Sequence, residues 1–280
     1  MSLKLFNHDR RSIAIETENS GTGGKHKFGG SLNDHAIKIR NFSNPCHVVF
    51  VLDTSDDLVP ISLEGVRHFP LIHGFQFCSN GEEFIYRVLN EREIEVISHK
   101  NEDFDEWFPY DDYPDHFPGL QFALRSEPYD ATKAEDALMY QGVFGLDALS
   151  DSETLRAVEV AKSTWHPEKF ERSDSPEWTD IELMHSRGCE PFCQTAPSDR
   201  CPSPQCTAEV DYVIDAYELD LSDGNPPLKV RERIMRIPTL KVIAIHEGAR
   251  DEELWGGVWV QLIFQLCSEC GCVVVSNQCT

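Results

Sequence analysis

Apolar and polar positions along this chain follow the two-residue period of a strand more often than the period of a helix. Val48-Val49-Phe50-Val51-Leu52 is an unbroken β-branched and aromatic run ended by Asp53, the pattern of a strand covered on both faces. Residues 69–77 form a second strand-like run. Ser79-Asn80-Gly81 is a hairpin signal, because Asn-Gly readily adopts positive φ, and it leads into Glu83-Phe84-Ile85-Tyr86-Arg87-Val88. After a turn at Asn90-Glu91, Glu93-Ile94-Glu95-Val96-Ile97 alternates strictly, which predicts one buried and one wet face. These three segments are expected to form an antiparallel meander. Weaker alternation at Ile13 and Ile15, and runs at residues 210–215, 240–245 and 258–266, predict further strands.

Helical signals are confined to the middle of the chain. Asp130, Thr132 and Glu135 resemble a capped start before Ala137 and Leu138, and Ser150-x-x-Glu153 is a capping box ahead of Leu155, Val158 and Ala161. Residues 165–178 are polar and proline-punctuated, as in a linker. Residues 102–118 are acidic, aromatic and proline-rich, hence loop. Their aromatics are expected to pack back on the body; the sharper expectation is a docking segment for a basic partner.

The order of elements repeats. Gly29-Gly30 answers Gly188-Cys189, Val51-Leu52-Asp53 answers Val213-Ile214-Asp215, and Phe75-Gln76-Phe77-Cys78 answers Phe264-Gln265-Leu266-Cys267. The expected architecture is therefore α+β, mostly antiparallel sheet, made by tandem duplication of one unit. The copies would occupy residues 1–165 and 166–280, with a cysteine-rich zinc knuckle in the second.

Length and composition set outer bounds. A chain of 280 residues, 40% hydrophobic, can bury a sizeable core. No stretch approaches the roughly 20 apolar residues of a membrane span, and Met1-Ser2-Leu3-Lys4-Leu5 runs into polar sequence without an apolar signal core. A cytoplasmic protein is expected, so the sequon at Asn41-Phe42-Ser43 is read as chance. The formal net charge of −23 repels nucleic acid and anionic membranes and attracts basic partners or cations.

The ten cysteines carry the strongest chemical signal. Cys46 and Cys78 stand alone beside apolar runs and read as core thiols. The others cluster as Cys189, Cys193, Cys201 and Cys206, then Cys267, Cys270, Cys272 and Cys279, the grouping of metal ligands in a protein without a secretory signal. Cys267-x2-Cys270 has knuckle spacing, and Gly271 permits its tight turn. Cys201 and Cys206 form the best second pair, so structural zinc is expected at Cys201, Cys206, Cys267 and Cys270. Cys189, Cys193, Cys272 and Cys279 remain substitutes or a second site. A redox reading of Cys267-Ser268-Glu269-Cys270 is weaker, because the strand-then-helix setting of thioredoxin-like motifs is missing.

Other motifs fail. The P-loop pattern breaks at Asn19 and His26, there is no Gly-x-Ser-x-Gly elbow, and His246-Glu247 lacks the second histidine of a zincin helix. His47, His73 and His246 lie on or beside strands and read as hydrogen-bonded structural residues. Asp53 and Asp215 occupy matched strand ends, where paired carboxylates would meet if the repeats enclosed a cleft.

At these residues a family likeness emerges. Lys27-Phe28-Gly29-Gly30 and residues 188–194 resemble the Gly-Gly-x-Pro-x-Trp-x-Gln element of the YwqG-like proteins, a bacterial family of unknown function. The cysteine turn and the segments Val51-Leu52-Asp53 and Val213-Ile214-Asp215 are similar to its Cys-Pro-x-Cys-Gly and Gln-Ile-Asp pattern. Here no proline follows Gly29-Gly30, Cys193 stands at the tryptophan position, and Cys201-x4-Cys206 is longer than Cys-x-x-Cys. The resemblance implies a tandem-duplicated α+β fold over most of residues 27–280 and supplies no catalytic residues. The layout is also similar to the programmed-cell-death-2-like proteins, which escort a basic ribosomal protein. The expected function is a non-enzymatic, zinc-stabilised binding or chaperone-like module for a basic protein. The alternative is an enzyme acting on a small molecule between the repeats through Asp and His residues.

Overall fold

A computed structural model of the chain describes residues 2–6, 11–16, 24–75, 83–99, 114–128, 198, 200–206, 212–219, 228–236, 239–249 and 259–279. These hold the strands β1 (Ser2–Phe6), β2 (Arg11–Glu16), β3 (His26–Phe28), β4 (Lys38–Arg40), β5 (His47–Asp53), β6 (His68–His73) and β7 (Glu83–Asn90). The series continues with β8 (Glu93–His99), β9 (Leu120–Pro128), β10 (Tyr212–Leu219), β11 (Leu228–Arg236), β12 (Leu240–Ala249), β13 (Trp259–Cys267) and β14 (Cys272–Cys279). There is no helix among the described residues, and none long and apolar enough to cross a membrane. The two helical signals, the hairpin signal at Asn80-Gly81 and the linker at 165–178 lie outside them.

Twelve strands form one sheet in the order β4-β8-β7-β14-β13-β12-β1-β2-β9-β3-β5-β6, and β10 and β11 pair in a second. Only β4 beside β8 is parallel among these pairs. The first strand joins the two ends of the chain: β1 pairs with β12 (Leu3 opposite His246) and with β2 (Leu5 opposite Ile13). The compact units are accordingly interleaved in sequence. One comprises Met1–Pro128, Pro197–Ala208 and Thr239–Thr280, the other Tyr129–Ala196 and Glu209–Pro238. The expected boundary between residues 165 and 166 lies outside the described residues. The segments expected to correspond as repeats have different settings: β5 lies between β3 and β6 in the large sheet, whereas β10 pairs with β11.

The expected meander holds only in part. β7 and β8 form an antiparallel pair, but β6 pairs with β5 and ends the sheet, while the other side of β7 is taken by β14. Phe84, Ile85 and Tyr86 are all buried, so β7 needs apolar cover on both faces. The run Cys272-Val273-Val274-Val275 supplies a neighbour that is itself buried. Turn signals report which segments follow one another, not which strand wins the pairing.

The core explains why β5 tolerates no polar position between its first and last residues. His47 through Asp53 is buried at every position, as the unbroken apolar run predicts. Phe50 packs against Phe28, Phe122 and His246 with ring centroids 5.4, 5.6 and 5.3 Å away. One apolar cluster contains Phe69, Leu71 and Ile72 of β6 together with Phe84, Tyr86 and Val88 of β7, strands far apart in the sheet order. The sheet therefore curls over its own core, as long twisted sheets must.

Tyr86 closes that curl. Its hydroxyl donates to Pro70 O at 3.1 Å and accepts from Ile72 N–H at 3.2 Å, satisfying an edge of β6 that no strand among the described residues pairs. Removing the hydroxyl strands a buried amide and a buried carbonyl. Tyr86→Phe is expected to lose about 1–3 kcal/mol in a urea melt, and an unchanged midpoint would show that the edge is satisfied some other way.

Gly29-Gly30 also has a local physical cause. Gly29 and Gly30 have φ of 63° and 79°, and they hydrogen-bond Val49 O and Phe117 O at 3.1 and 2.8 Å. A Cβ on Gly29 would stand 2.4 Å from Pro118 O. The pair thus lets the 114–119 segment cross over β3, and Phe117 packs back on Phe28, His47 and Phe75, as expected for this end of the acidic aromatic loop. Residues 102–113 lie outside the described residues.

Candidate metal centre

Cys267 ends β13 and Cys272 begins β14, so the knuckle is the hairpin turn between the two most buried strands of the C-terminal segment. Gly271 makes it possible: its φ is +69°, its N–H donates to Cys267 O at 2.9 Å, and its carbonyl accepts from Val88 N–H at 3.3 Å. A Cβ here would meet nothing nearer than 3.5 Å, so backbone conformation rather than space demands glycine. The N–H groups of Glu269 and Cys270 donate to the Cys267 sulfur, and that of Cys272 donates to the Cys270 sulfur. Amides turned toward sulfur favour thiolates.

The second pair arrives on residues 201–206. Cys206 N–H donates to Ser203 O at 3.0 Å, closing a tight turn, and Ser203 N–H donates to the Cys201 sulfur. Cys201 N–H is held by Thr239 Oγ1 at 2.8 Å, one residue before β12. Pro202 and Pro204 stiffen the loop. Gln265 Nε2 donates to Ser198 O at 2.7 Å, fastening the approach to the loop along β13.

Together these elements bring Cys201, Cys206, Cys267 and Cys270 into one cluster, every sulfur within 4.8 Å of every other. Cys201 and Cys270 are 3.5 Å apart and Cys206 and Cys267 are 3.7 Å apart. A metal–sulfur bond of about 2.3 Å in a regular tetrahedron puts sulfurs about 3.8 Å from one another, so the cluster has the size of a four-thiolate site. The separations are far from the roughly 2.05 Å of a disulfide. Ile85, Leu240 and Val274 pack around the cluster with partly buried Ile97. An all-sulfur donor set, with Cys267 buried and the other three partly buried, suits a soft or borderline cation.

The electrostatics are those of a site short of positive charge. Burial pushes the Cys201 and Cys267 thiols up, and pushes Cys272 up to about 12. Burial acts the same way on Cys270, but the Cys272 amide and the thiols of Cys201, Cys267 and Cys206 donate to its sulfur and bring it below the ordinary thiol range. Four adjacent thiolates cannot persist in such surroundings without a cation among them.

The remaining candidates sort cleanly. Cys46 is buried in the core, as expected. Cys272 is fully buried behind the cluster and hydrogen-bonds Cys201. Cys78, Cys189 and Cys193 lie outside the described residues, and Cys279 ends β14. Three supporting residues escaped the sequence reading: Thr239, Ser203 and Arg87. Arg87 left a usable trace, being a charged residue inside an otherwise apolar buried strand.

The acid–base candidates are committed elsewhere. Asp53 accepts from Arg67 Nη2 and Nε at 3.1 and 3.3 Å and from Ser55 N–H at 2.9 Å. The guanidinium holds its carboxyl far below the usual range. His26 Nδ1 accepts from Asp53 N–H at 3.1 Å, so its proton sits on Nε2, which donates to Asp56 at 3.2 Å. Asp215 is not at a strand end: it lies within β10, where the register with β11 shifts. It also belongs to the other compact unit. His47 donates to Pro114 O at 2.6 Å, and His246 lies against Phe50 and Phe28. His73 departs from the expected hydrogen-bonded histidine, for neither ring nitrogen has a partner among the described residues; its ring is wedged edge-on between Phe75 and Phe84.

Comparison with models of known protein families, with curated proteins and with solved structures found no match to this chain.

Proposed function

We propose that this chain is a non-enzymatic, cytoplasmic binding or chaperone-like module for a basic protein, with a structural zinc ion held by Cys201, Cys206, Cys267 and Cys270. The observation that carries the proposal is the four-sulfur cluster. Four thiolates would fill a tetrahedral coordination sphere and leave no position for water or substrate, which is the signature of a structural rather than a catalytic zinc. Zinc is preferred among soft cations because it takes this geometry without redox chemistry. The commitment of Asp53 and His26 to fixed partners supports the non-enzymatic reading.

The partner's chemistry follows from charge. A net charge of −23 gives a field that recruits cationic proteins and rejects nucleic acid and anionic membranes. The likeness of the sequence layout to the programmed-cell-death-2-like proteins, which escort a basic ribosomal protein, motivates the same reading.

Binding of purified basic ribosomal proteins to the zinc-loaded chain tests it. The expected result is a complex with at least one of them that weakens about tenfold or more between low and physiological salt, and no complex with acidic control proteins. Equal binding to basic and acidic proteins, or none, would contradict the proposal.

A further inference from the structure

Arg87 stands on β7 directly opposite Cys272 of β14. Its guanidinium donates from Nη2 to Ser203 Oγ at 2.6 Å and from Nη1 to Gln205 Oε1 at 2.8 Å. Both acceptors lie on the short loop that carries Cys201 and Cys206. Nη1 is also 3.6 Å from Glu95 Oε2, on the cross-strand partner of Arg87 in β8. The side chain is only 14% exposed, and its buried Nε has no acceptor among the described residues.

A cation so placed is costly unless negative charge faces it. Glu95, at 35% exposure, is partly in water. Four thiolates around a divalent ion carry two net negative charges, and a site of that kind depends on partners beyond its ligands for orientation and charge balance. Thr239 and Gln265 hold the loop at its start, and Arg87 adds a tether at Ser203 and Gln205, in the half that carries Cys206.

Resting on the metal reading above, we propose that Arg87 is the positioning residue of the metal centre. Its two-pronged grip sets the loop so that Cys201 and Cys206 meet Cys267 and Cys270, and its charge offsets the anionic four-thiolate complex. Lysine cannot substitute fully, since it keeps the charge but not the planar fork.

Chelator competition on the zinc-loaded full chain tests this. Arg87→Ala is expected to bind zinc about 10–100-fold more weakly, and Arg87→Lys to recover part of the loss. Ser203→Ala with Gln205→Ala removes the acceptors while leaving β7 intact. It should weaken zinc binding similarly, and adding Arg87→Ala to it should cost less than the product of the two effects. Cobalt(II) loaded into Arg87→Ala should still show four-thiolate absorption, which places the defect in affinity and not in the ligand set. Zinc held as tightly by Arg87→Ala and the loop variant as by the parent would overturn the proposal. A merely structural role would lower stability without changing metal affinity, and that outcome overturns it equally. A parent chain that takes up neither zinc nor cobalt overturns the metal reading itself, a result visible before any variant is compared.

Discussion

Stripping the bound metal with a strong chelator is expected to lower the melting temperature of the purified chain by about 10–20 °C. Structural zinc sites contribute about 10–16 kcal/mol of apparent binding energy in isolated peptides. In a chain with a large core only part of that is needed for folding. A loss near 5 kcal/mol in a protein of this size corresponds to the shift given. The physical cause is local: without a cation, the cluster of Cys201, Cys206, Cys267 and Cys270 must protonate or move apart. Either change loosens the 201–206 loop from the β13–β14 hairpin and uncovers Ile85, Leu240 and Val274. Calorimetry before chelation, after it and after zinc is restored reads the effect. Cys267→Ser or Cys270→Ser should reproduce the loss, whereas Cys46→Ser should leave metal binding unaltered. A melting temperature that does not respond to the chelator would contradict the structural role.

Acidification is expected to produce the next largest loss, through His73. Burial, and then the neighbouring His47, push its pKa down to about 3, against an ordinary value of 6.5. The unfolded chain therefore takes up a proton below pH 6.5 that the folded chain refuses. Stability is complete above that pH and falls as pH drops toward 3, by about 1.4 kcal/mol per pH unit for this one histidine. His26 and His47 are also lowered, chiefly by burial, and steepen the fall. Because neither nitrogen of His73 has a partner among the described residues, His73→Leu should raise stability at neutral pH by about 1–3 kcal/mol. It should also flatten the dependence between pH 6.5 and 4.5. Urea melts of parent and variant with zinc in excess check both effects. Parallel profiles for the two proteins would show that His73 does not set the acid limit.

What the sequence revealed, and what it concealed, follows from the range of each signal. β5 was legible because its whole run is apolar, and both faces of the strand are covered. The pair Cys201 and Cys206 was assigned to the knuckle because the apparent repeat put their turn beside a neighbour of the last strand; the four sulfurs do come together, although the segments matched as repeats have different settings. Pairing is a long-range outcome and was misjudged where local turns dominated the pattern: β6 goes to β5, and β7 goes to β14. The strand β14 itself was hidden by its cysteines, since Cys272 was counted as a ligand candidate and Val273-Val274-Val275 was not weighed as a strand. Asp215 resembled Asp53 because both end an apolar triplet, yet one ends a strand and the other sits at a register shift. The supporting groups Thr239 and Ser203 carry no motif at all; they matter only because the fold sets them beside the cluster.

Elemental analysis of the chain, purified without added metal or chelator, tests the four-thiolate zinc site most directly. The expected result is about one zinc per chain, lost on replacing Cys267 or Cys270 by serine and retained on replacing Cys46. A chain free of metal that takes up none when zinc is supplied, with Cys201, Cys206, Cys267 and Cys270 free as thiols or joined in disulfides, would contradict it.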